Sequence, residues 1–496
     1  MPGRNCGQPA SDDGVPLVDG SRWLGAAGEM RRDLLGTFER AMLTHGSRAR
    51  LQIGPKRLGF LADAIFAPEL ARQVLATDAA LYDKDVPALI EFRRFVGDGL
   101  LTSDGERWRR DRRIVAPLFT RKRIESYVPA MAITANEVVA SWQEVAAAGG
   151  AVDVCEPSML YALEVLGTAV FGKDIHDAEA VVRRSVPVLN AHVTRTALSP
   201  VRLPSWLPTP SHRRVHRARR EVWDFVERLI ADRRRCGSDA DAGAAAASAR
   251  NDLLSLLLSA KDPETGAGLD DLAVRDQALI FLLAGHETTG ATLAFVLHLL
   301  GRHPDVQQRV RDEVLGVAGD RAIGASEIHQ LTYTEQVINE VMRLYPAGHT
   351  LARRSRQGAT LAGHRIPAKR IVAISVWAVH HNPAVWPDPY RFDPDRFAAG
   401  GAGEEGGSDA EKTARYAHIP FGGGPRRCIG QYLAMAELVV AVATIVRAFH
   451  LESLDDEPAL DVGVSLLPGD RLICRIRPAR LPPDPAGVDA SPSRSI

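Results

Sequence analysis

Cysteine is scarce in this sequence: five residues in 496 (Cys6, Cys155, Cys236, Cys428 and Cys474), with no Cys-x-x-Cys pair among them. Thiols so scattered exclude a disulfide framework and argue against zinc, and their odd number fits a reducing cytosol. Net charge is absent too, since 61 Lys and Arg offset 61 Asp and Glu. No global field therefore draws the chain to nucleic acid or to an anionic membrane. The first twenty residues, MPGRNCGQPASDDGVPLVDG, are polar and rich in turn formers. They lack the apolar core of a signal peptide and the length of a membrane anchor. One long apolar stretch does occur, Ala278 to Leu300, but it carries His286 and Glu287 at its middle. Burying those in lipid is costly, so the stretch reads as a core helix and the protein as soluble, with no membrane span.

What is present is an ordinary globular mixture, 45% hydrophobic and 25% charged. Apolar residues recur at helical spacing over Arg121–Val145, Pro210–Arg235, Leu269–Gly301, Ser326–Leu344 and Gln431–Phe449. Strand-like runs are short. ARLQIGPKRLGFLAD, from Ala49, alternates across a Gly-Pro turn, and ATLAGHRIPAKRIVAISVWAV, from Ala359, holds two strand segments joined by a Pro-containing turn. Two segments read as irregular: CGSDADAGAAAASARND from Cys236, and the Gly-rich AAGGAGEEGGSDAEK from Ala398. No repeat or linker divides the chain. The reading is a flexible segment 1–20, a single domain 21–477 that is mainly α with a smaller β-rich subdomain, and a Pro-rich, disordered tail 478–496.

The segment richest in chemistry is Phe421-Gly-Gly-Gly-Pro-Arg-Arg-Cys428-Ile-Gly430, followed by an apolar helix. A metal-ligating thiolate needs N–H donors and a helix N-terminus, both of which favour negative charge. The three glycines let the backbone turn tightly and expose amides near the sulfur. Gly430 lets the helix approach a flat ligand, Phe421 supplies an apolar cover, and Arg426 is free to pair with a carboxylate. A lone cysteine is usually a small core residue, but Phe-x-x-Gly-x-Arg-x-Cys-x-Gly fixes five of ten positions.

Three further motifs accompany it. In Ala284-Gly285-His286-Glu287-Thr288-Thr289, the Thr288 hydroxyl is placed to bond back to the Ala284 carbonyl and open a groove for O2, with Glu287 as a proton-relaying carboxylate. Glu340 and Arg343 stand at i, i+3 on one helical face, spacing that is commonplace for surface pairs. About fifty residues later comes Asp393-Pro394-Asp395-Arg396-Phe397. In Trp108-Arg-Arg-Asp-Arg112, Trp108 and Arg112 share one face while Arg109 and Arg113 share another.

In order and spacing these motifs resemble those of the cytochromes P-450, over roughly Leu51 to Arg477. The resemblance implies the P-450 fold, haem b with Cys428 as axial ligand to the iron, and a monooxygenase that hydroxylates or epoxidises a hydrophobic small molecule. It implies that Glu287 and Thr288 deliver protons to O2, beside Ala284 at the cofactor. It implies that Trp108, Arg112 and Arg426, with Arg353 and Lys84 on looser motifs, bind the haem propionates, and that Glu340, Arg343 and Arg396 form a buried structural triad. By the same analogy Leu100, Leu101, Ala284, Gly348 and Leu466 line a pocket for a fatty acid, terpene, steroid or polyketide. With no reductase fused, electrons come from a separate ferredoxin or flavodoxin with its reductase, in the cytoplasm. Arg109, Arg113 and Arg427 are candidates for a basic landing patch.

Two other functions compete. A haem-thiolate peroxygenase or isomerase needs no external electrons, but such enzymes typically lack the acid–alcohol pair. A haem-based sensor or carrier has no evident use for a proton relay.

Overall fold

The computed structural model describes residues 14–479 apart from 19, 22, 56–58, 173–175, 198, 200–208, 239–251 and 399–407. Its axis is the helix Asp271–Arg302, which the Asp270 carboxylate caps by accepting the Ala273 N–H at 2.7 Å. Leu279, Leu282, Leu293, Phe295, Val296 and Leu297 are buried on several of its faces, so this helix is surrounded by protein rather than lying on its surface. Each such side chain contributes roughly 1.5–3 kcal/mol of burial against the entropy of ordering it. Helix Cys155–Leu166 packs along it. A Cβ on Gly290 would meet the Met159 Cα at 2.8 Å, so only glycine permits this approach. Helix Gln431–Ala448 packs on another side. It and Asp271–Arg302 are long and apolar enough to cross a membrane by length and composition, but both lie mostly buried inside the protein.

A five-stranded sheet supplies the β-rich part, in the order Arg48–Ile53, Phe60–Ile65, Ile371–Ser375, Thr350–Ser355, Tyr82–Asp83. Only the pairing of Phe60–Ile65 with Ile371–Ser375 is parallel. Tyr82 stands opposite Ser355 and Asp83 opposite Arg354; one step further along this register lie Lys84 and Arg353. The fold is thus mainly helical with small sheets, as expected.

Several boundaries differ from the sequence reading. The stretch Arg121–Val145 is two helices, Arg121–Glu125 and Val128–Ala147, the second carrying Pro129 in its first turn, where a missing N–H costs nothing. Ser326–Leu344 also divides, into Ala325–Ile328 and Thr332–Leu344. There the Glu313 carboxylate starts the second helix by accepting the N–H groups of Tyr333 and Thr334 at 2.6 and 2.8 Å. The run from Ala359 holds three strands rather than two. Ala359–Leu361 and His364–Ile366 form their own hairpin across Ala362 and Gly363, both at positive φ, before Ile371–Ser375 joins the main sheet.

The irregular segments are partly ordered. Helix Pro210–Ser238 runs past Cys236, and the rest of that segment to 251 lies outside the described residues. Of the Gly-rich stretch, 399–407 lies outside them, while Asp409–Ala414 is a helix with a Ser408–Glu411 capping box. Of the N-terminal twenty residues, Pro16 and Val18 bond to Arg50 of the edge strand at 2.7 and 2.8 Å. The tail from 480 onward, and residues 1–13, lie outside the described residues.

Candidate functional site

The cysteine loop closes on itself, with the Cys428 N–H donating to the Phe421 carbonyl at 2.9 Å. Gly424 sits at φ +66°, and a Cβ there would fall 1.9 Å from the Leu75 carbonyl oxygen, so the turn requires glycine. The helix Gln431–Ala448 starts three residues after the sulfur. Cys428 is exposed, yet burial raises its thiol above the ordinary range. A sulfur that is reachable but walled by protein lies on an interior cleft. Against that desolvation, the Gly430 N–H, Arg112, Arg427 and Lys84 favour the thiolate. A Cβ on Gly430 would meet nothing nearer than the Cys428 sulfur at 3.9 Å, so open room adjoins the thiol.

Beside the sulfur, cations gather. Lys84 is buried, donates to the Leu101 carbonyl at 2.9 Å, and is held well below its ordinary pKa by burial and then by Arg353 and Arg426. Arg353 is pushed down to about 10 by burial and then by Arg426. Burial likewise lowers Arg112 and Arg426. Arg426 donates to the Ser103 carbonyl at 2.9 Å and to the Asp104 carboxylate, and lies over the Trp108 ring at 4.3 Å from the centroid. Asp104 also accepts the Lys84 N–H at 2.8 Å. Three of these cations, Lys84, Arg353 and Arg426, therefore share the Asp104 carboxylate, with Asp83 acting on Arg426 more weakly, while Arg112 faces the Cys428 sulfur. Such a cluster is costly unless an anion joins it. An iron porphyrin with two propionates answers both needs, the thiolate and the surplus positive charge. Among the described residues no group of three His, Cys, Asp or Glu could hold a metal ion alone, so a single thiolate suits a metal that arrives with its own ligands.

The other wall is the middle of the long helix. Ala284 is exposed, whereas its neighbour Leu283 and the nearby His286 are buried. The Thr288 hydroxyl donates to the Ala284 carbonyl at 2.8 Å, and the Thr292 hydroxyl to that of Thr288 at 2.8 Å. The helix stays continuous through both, so the opening comes from small side chains and a back-bonded hydroxyl without any break. Glu287 is held from a second helix: the Asn190 amide, from helix His176–Ala197, donates to its two oxygens at 2.8 and 2.9 Å. Burial pushes Glu287 up to about 7, with Asn190 lowering and Asp461 raising it.

Glu340 and Arg343 are fully buried and doubly bonded, Nε to Oε2 at 2.7 Å and Nη2 to Oε1 at 2.8 Å. Arg343 also donates to the carbonyls of His380, Pro389 and Arg391 at 2.9, 2.7 and 3.3 Å. Arg396 completes the group at 3.5 Å from Glu340. Burial raises Glu340 above its ordinary pKa in spite of these partners.

Other expectations need correction. Leu466 is fully buried and packs with Leu35 and Trp377, while Leu467 is half-buried against the main core. Leu466, expected at the pocket, is thus enclosed in this small cluster. Leu100 is buried in the main core; Leu101 and Gly348 are partly exposed. Arg113 is not free for a partner: it pairs with Asp262 at 3.0 Å and Glu264 at 3.1 Å, and Arg109 pairs with Glu106. Arg427 remains exposed. A cleft of about 360 Å³ adjoins the cations through Asp104, but Asp83, Asp85, Arg93, Asp98, Arg107, Arg354 and Arg356 line it too, which suits no apolar ligand. Sequence reasoning missed Asp104 and Asn190, since neither belongs to a local motif.

The sequence model of the Cytochrome P450 family matches residues 22–474. Cyclooctat-9-en-7-ol 5-monooxygenase of Streptomyces melanosporofaciens is 35% identical over 84% of this chain and 84% of its own length. Cyclooctatin synthase of the same organism is 31% identical over 90% of this chain and 91% of its own. Cytochrome P450 4F8 of Homo sapiens is 35% identical over 83% of this chain and 80% of its own.

Proposed function

The chain belongs to the cytochrome P450 family, and from that premise we propose a residue-level account of its site. It is a haem-iron monooxygenase that places one atom of O2 in a hydrophobic substrate. In our reading the cofactor is haem b, and the Cys428 thiolate would hold its iron. When bound, the haem supplies the redox chemistry that activates O2. The chain's own residues do the rest. The Gly430 N–H, Arg112 and Lys84 stabilise the Cys428 sulfur as thiolate, with Phe421 as apolar cover. Lys84, Arg112, Arg353 and Arg426 hold the propionates, and Trp108 packs beneath Arg426. Thr288, anchored on Ala284, offers a hydroxyl at the cleft, and Glu287 holds the proton to be delivered. The observation that carries this reading is the surplus of buried positive charge beside an accessible thiol.

The substrate we assign is a cyclic terpene-like alcohol. The support is likeness to a protein named for oxidising position 5 of cyclooctat-9-en-7-ol. Leu101, Ala284 and Gly348 border the pocket. Electrons come from a separate ferredoxin or flavodoxin with its reductase, and the enzyme works in the cytoplasm, its two long apolar helices serving as core.

The test supplies ferredoxin, its reductase and labelled O2 with terpene alcohols, and with fatty acids, steroids and polyketides in parallel. A terpene alcohol that gains one labelled oxygen supports the reading. Preference for another class overturns the substrate assignment, and turnover driven by hydrogen peroxide in excess of that with reductant overturns the monooxygenase cycle for this chain.

A further inference from the structure

We infer that Asn190 is a positioning residue for Glu287, orienting its carboxyl and tuning its proton affinity from a separate helix. The inference rests on the reading of Glu287 as the proton-holding acid. Both oxygens of that carboxyl are taken by one amide, at 2.8 and 2.9 Å, across 97 positions of sequence. Glu287 stands on the long helix and Asn190 on His176–Ala197, so the bond ties the helix that bears the acid to a second one.

The chemistry of an amide suits this task. Its NH2 donates to a carboxylate, and after a flip its C=O accepts from a carboxylic acid, so both protonation states keep a partner. An arginine there would fix the anion and pull the acid well down; an aliphatic residue would leave the acid buried and unsatisfied. Asn190 does neither. Burial drives Glu287 upward and the amide draws it back, leaving it at about 7, near where a general acid works best at neutral pH. The other charged group acting on it is Asp461, in strand Leu460–Val462, which raises it further. On its own helix the neighbouring His286 is buried, held below its ordinary pKa, and bonded to the Leu282 carbonyl at 3.0 Å.

Carboxyl-stretch infrared titration of the holoenzyme tests this, with the Glu287 band identified by its loss in Glu287→Gln. In Asn190→Leu the midpoint rises by on the order of one pH unit, and in Asn190→Asp by more, because a second carboxylate faces the first. Asn190→Gln, which keeps an amide, restores much of the original midpoint. The pH at which product formed per reductant halves moves in parallel. A midpoint unchanged in folded Asn190→Leu and Asn190→Asp overturns the inference, as does a loss of thermal stability with no shift in either profile. Should Glu287→Gln leave product per reductant unaltered, the assignment of Glu287 falls instead, whatever the infrared midpoints show.

Discussion

Arg426 lies over Trp108, with 4.3 Å from guanidinium carbon to ring centroid, and reaches Ser103 and Asp104 from that position. The stack explains why a tryptophan four residues before Arg112 belongs to a cation cluster: it carries one member of the cluster while Arg112 faces the sulfur. A desolvated cation–π contact is worth roughly 1–2 kcal/mol. Trp108→Ala lowers the melting temperature and the fraction of haem retained through gel filtration, while Trp108→Phe, which keeps an aromatic face, retains most of both. Equal retention in Trp108→Ala and wild type contradicts this.

Breaking the buried pair is a stability matter. Glu340→Ala strands the Arg343 guanidinium at zero exposure with carbonyls and the Trp386 ring in place of its carboxylate, and loss of one member of such a pair costs about 3–5 kcal/mol. The variant accumulates poorly as soluble protein and melts earlier, measured by calorimetry. A Glu340→Ala protein that melts like wild type but has lost activity would place Glu340 in the chemistry and out of the scaffold.

Thr288 is tied to the Ala284 carbonyl at 2.8 Å, so its hydroxyl has a fixed direction. Thr288→Ala keeps the helix and removes the hydroxyl. Hydrogen peroxide released per reductant consumed rises, because a positioned proton donor is lost, and Thr288→Ser recovers most of the coupling. Unchanged peroxide yield removes Thr288 from proton delivery.

Glu437 is buried within helix Gln431–Ala448, and burial pushes it up to about 8, opposed by a bond with Thr289 of the long helix. A raised acid binds its proton more tightly when folded. Its contribution is therefore fully present below its ordinary pKa of 4.5 and is lost as pH climbs through about 8, at up to about 1.4 kcal/mol per pH unit. Glu437→Gln keeps the bond and cannot ionise. Urea melts at about pH 5 and about pH 8 show a smaller difference in the variant than in wild type; an equal difference contradicts a buried, protonated Glu437.

What the sequence disclosed follows from distance along the chain. The cysteine loop, the Thr288–Ala284 bond and the Glu340–Arg343 pair are local, spanning ten, four and three positions, so their geometry is nearly set by the backbone. Asn190 and Asp104 meet their partners across 97 and 322 positions, and no local pattern announces them. Leu466 shows a different limit: neighbouring residues of a strand face opposite sides, and the sequence does not say which side packs against Leu35 and Trp377, as Leu466 does. Arg113 read as a free surface charge because Asp262 and Glu264 lie about 150 residues away. Helix ends failed where a distant side chain set them, as Glu313 does for Thr332–Leu344.

The most direct measurement is the absorption spectrum of the reduced, purified protein before and after carbon monoxide, for wild type and for Cys428→Ala. A strongly red-shifted Soret band in wild type that disappears in the variant is the predicted result, and it places the thiolate of Cys428 on the iron. A folded wild-type protein grown with ample haem that shows no such band, or a variant that keeps it, contradicts the account.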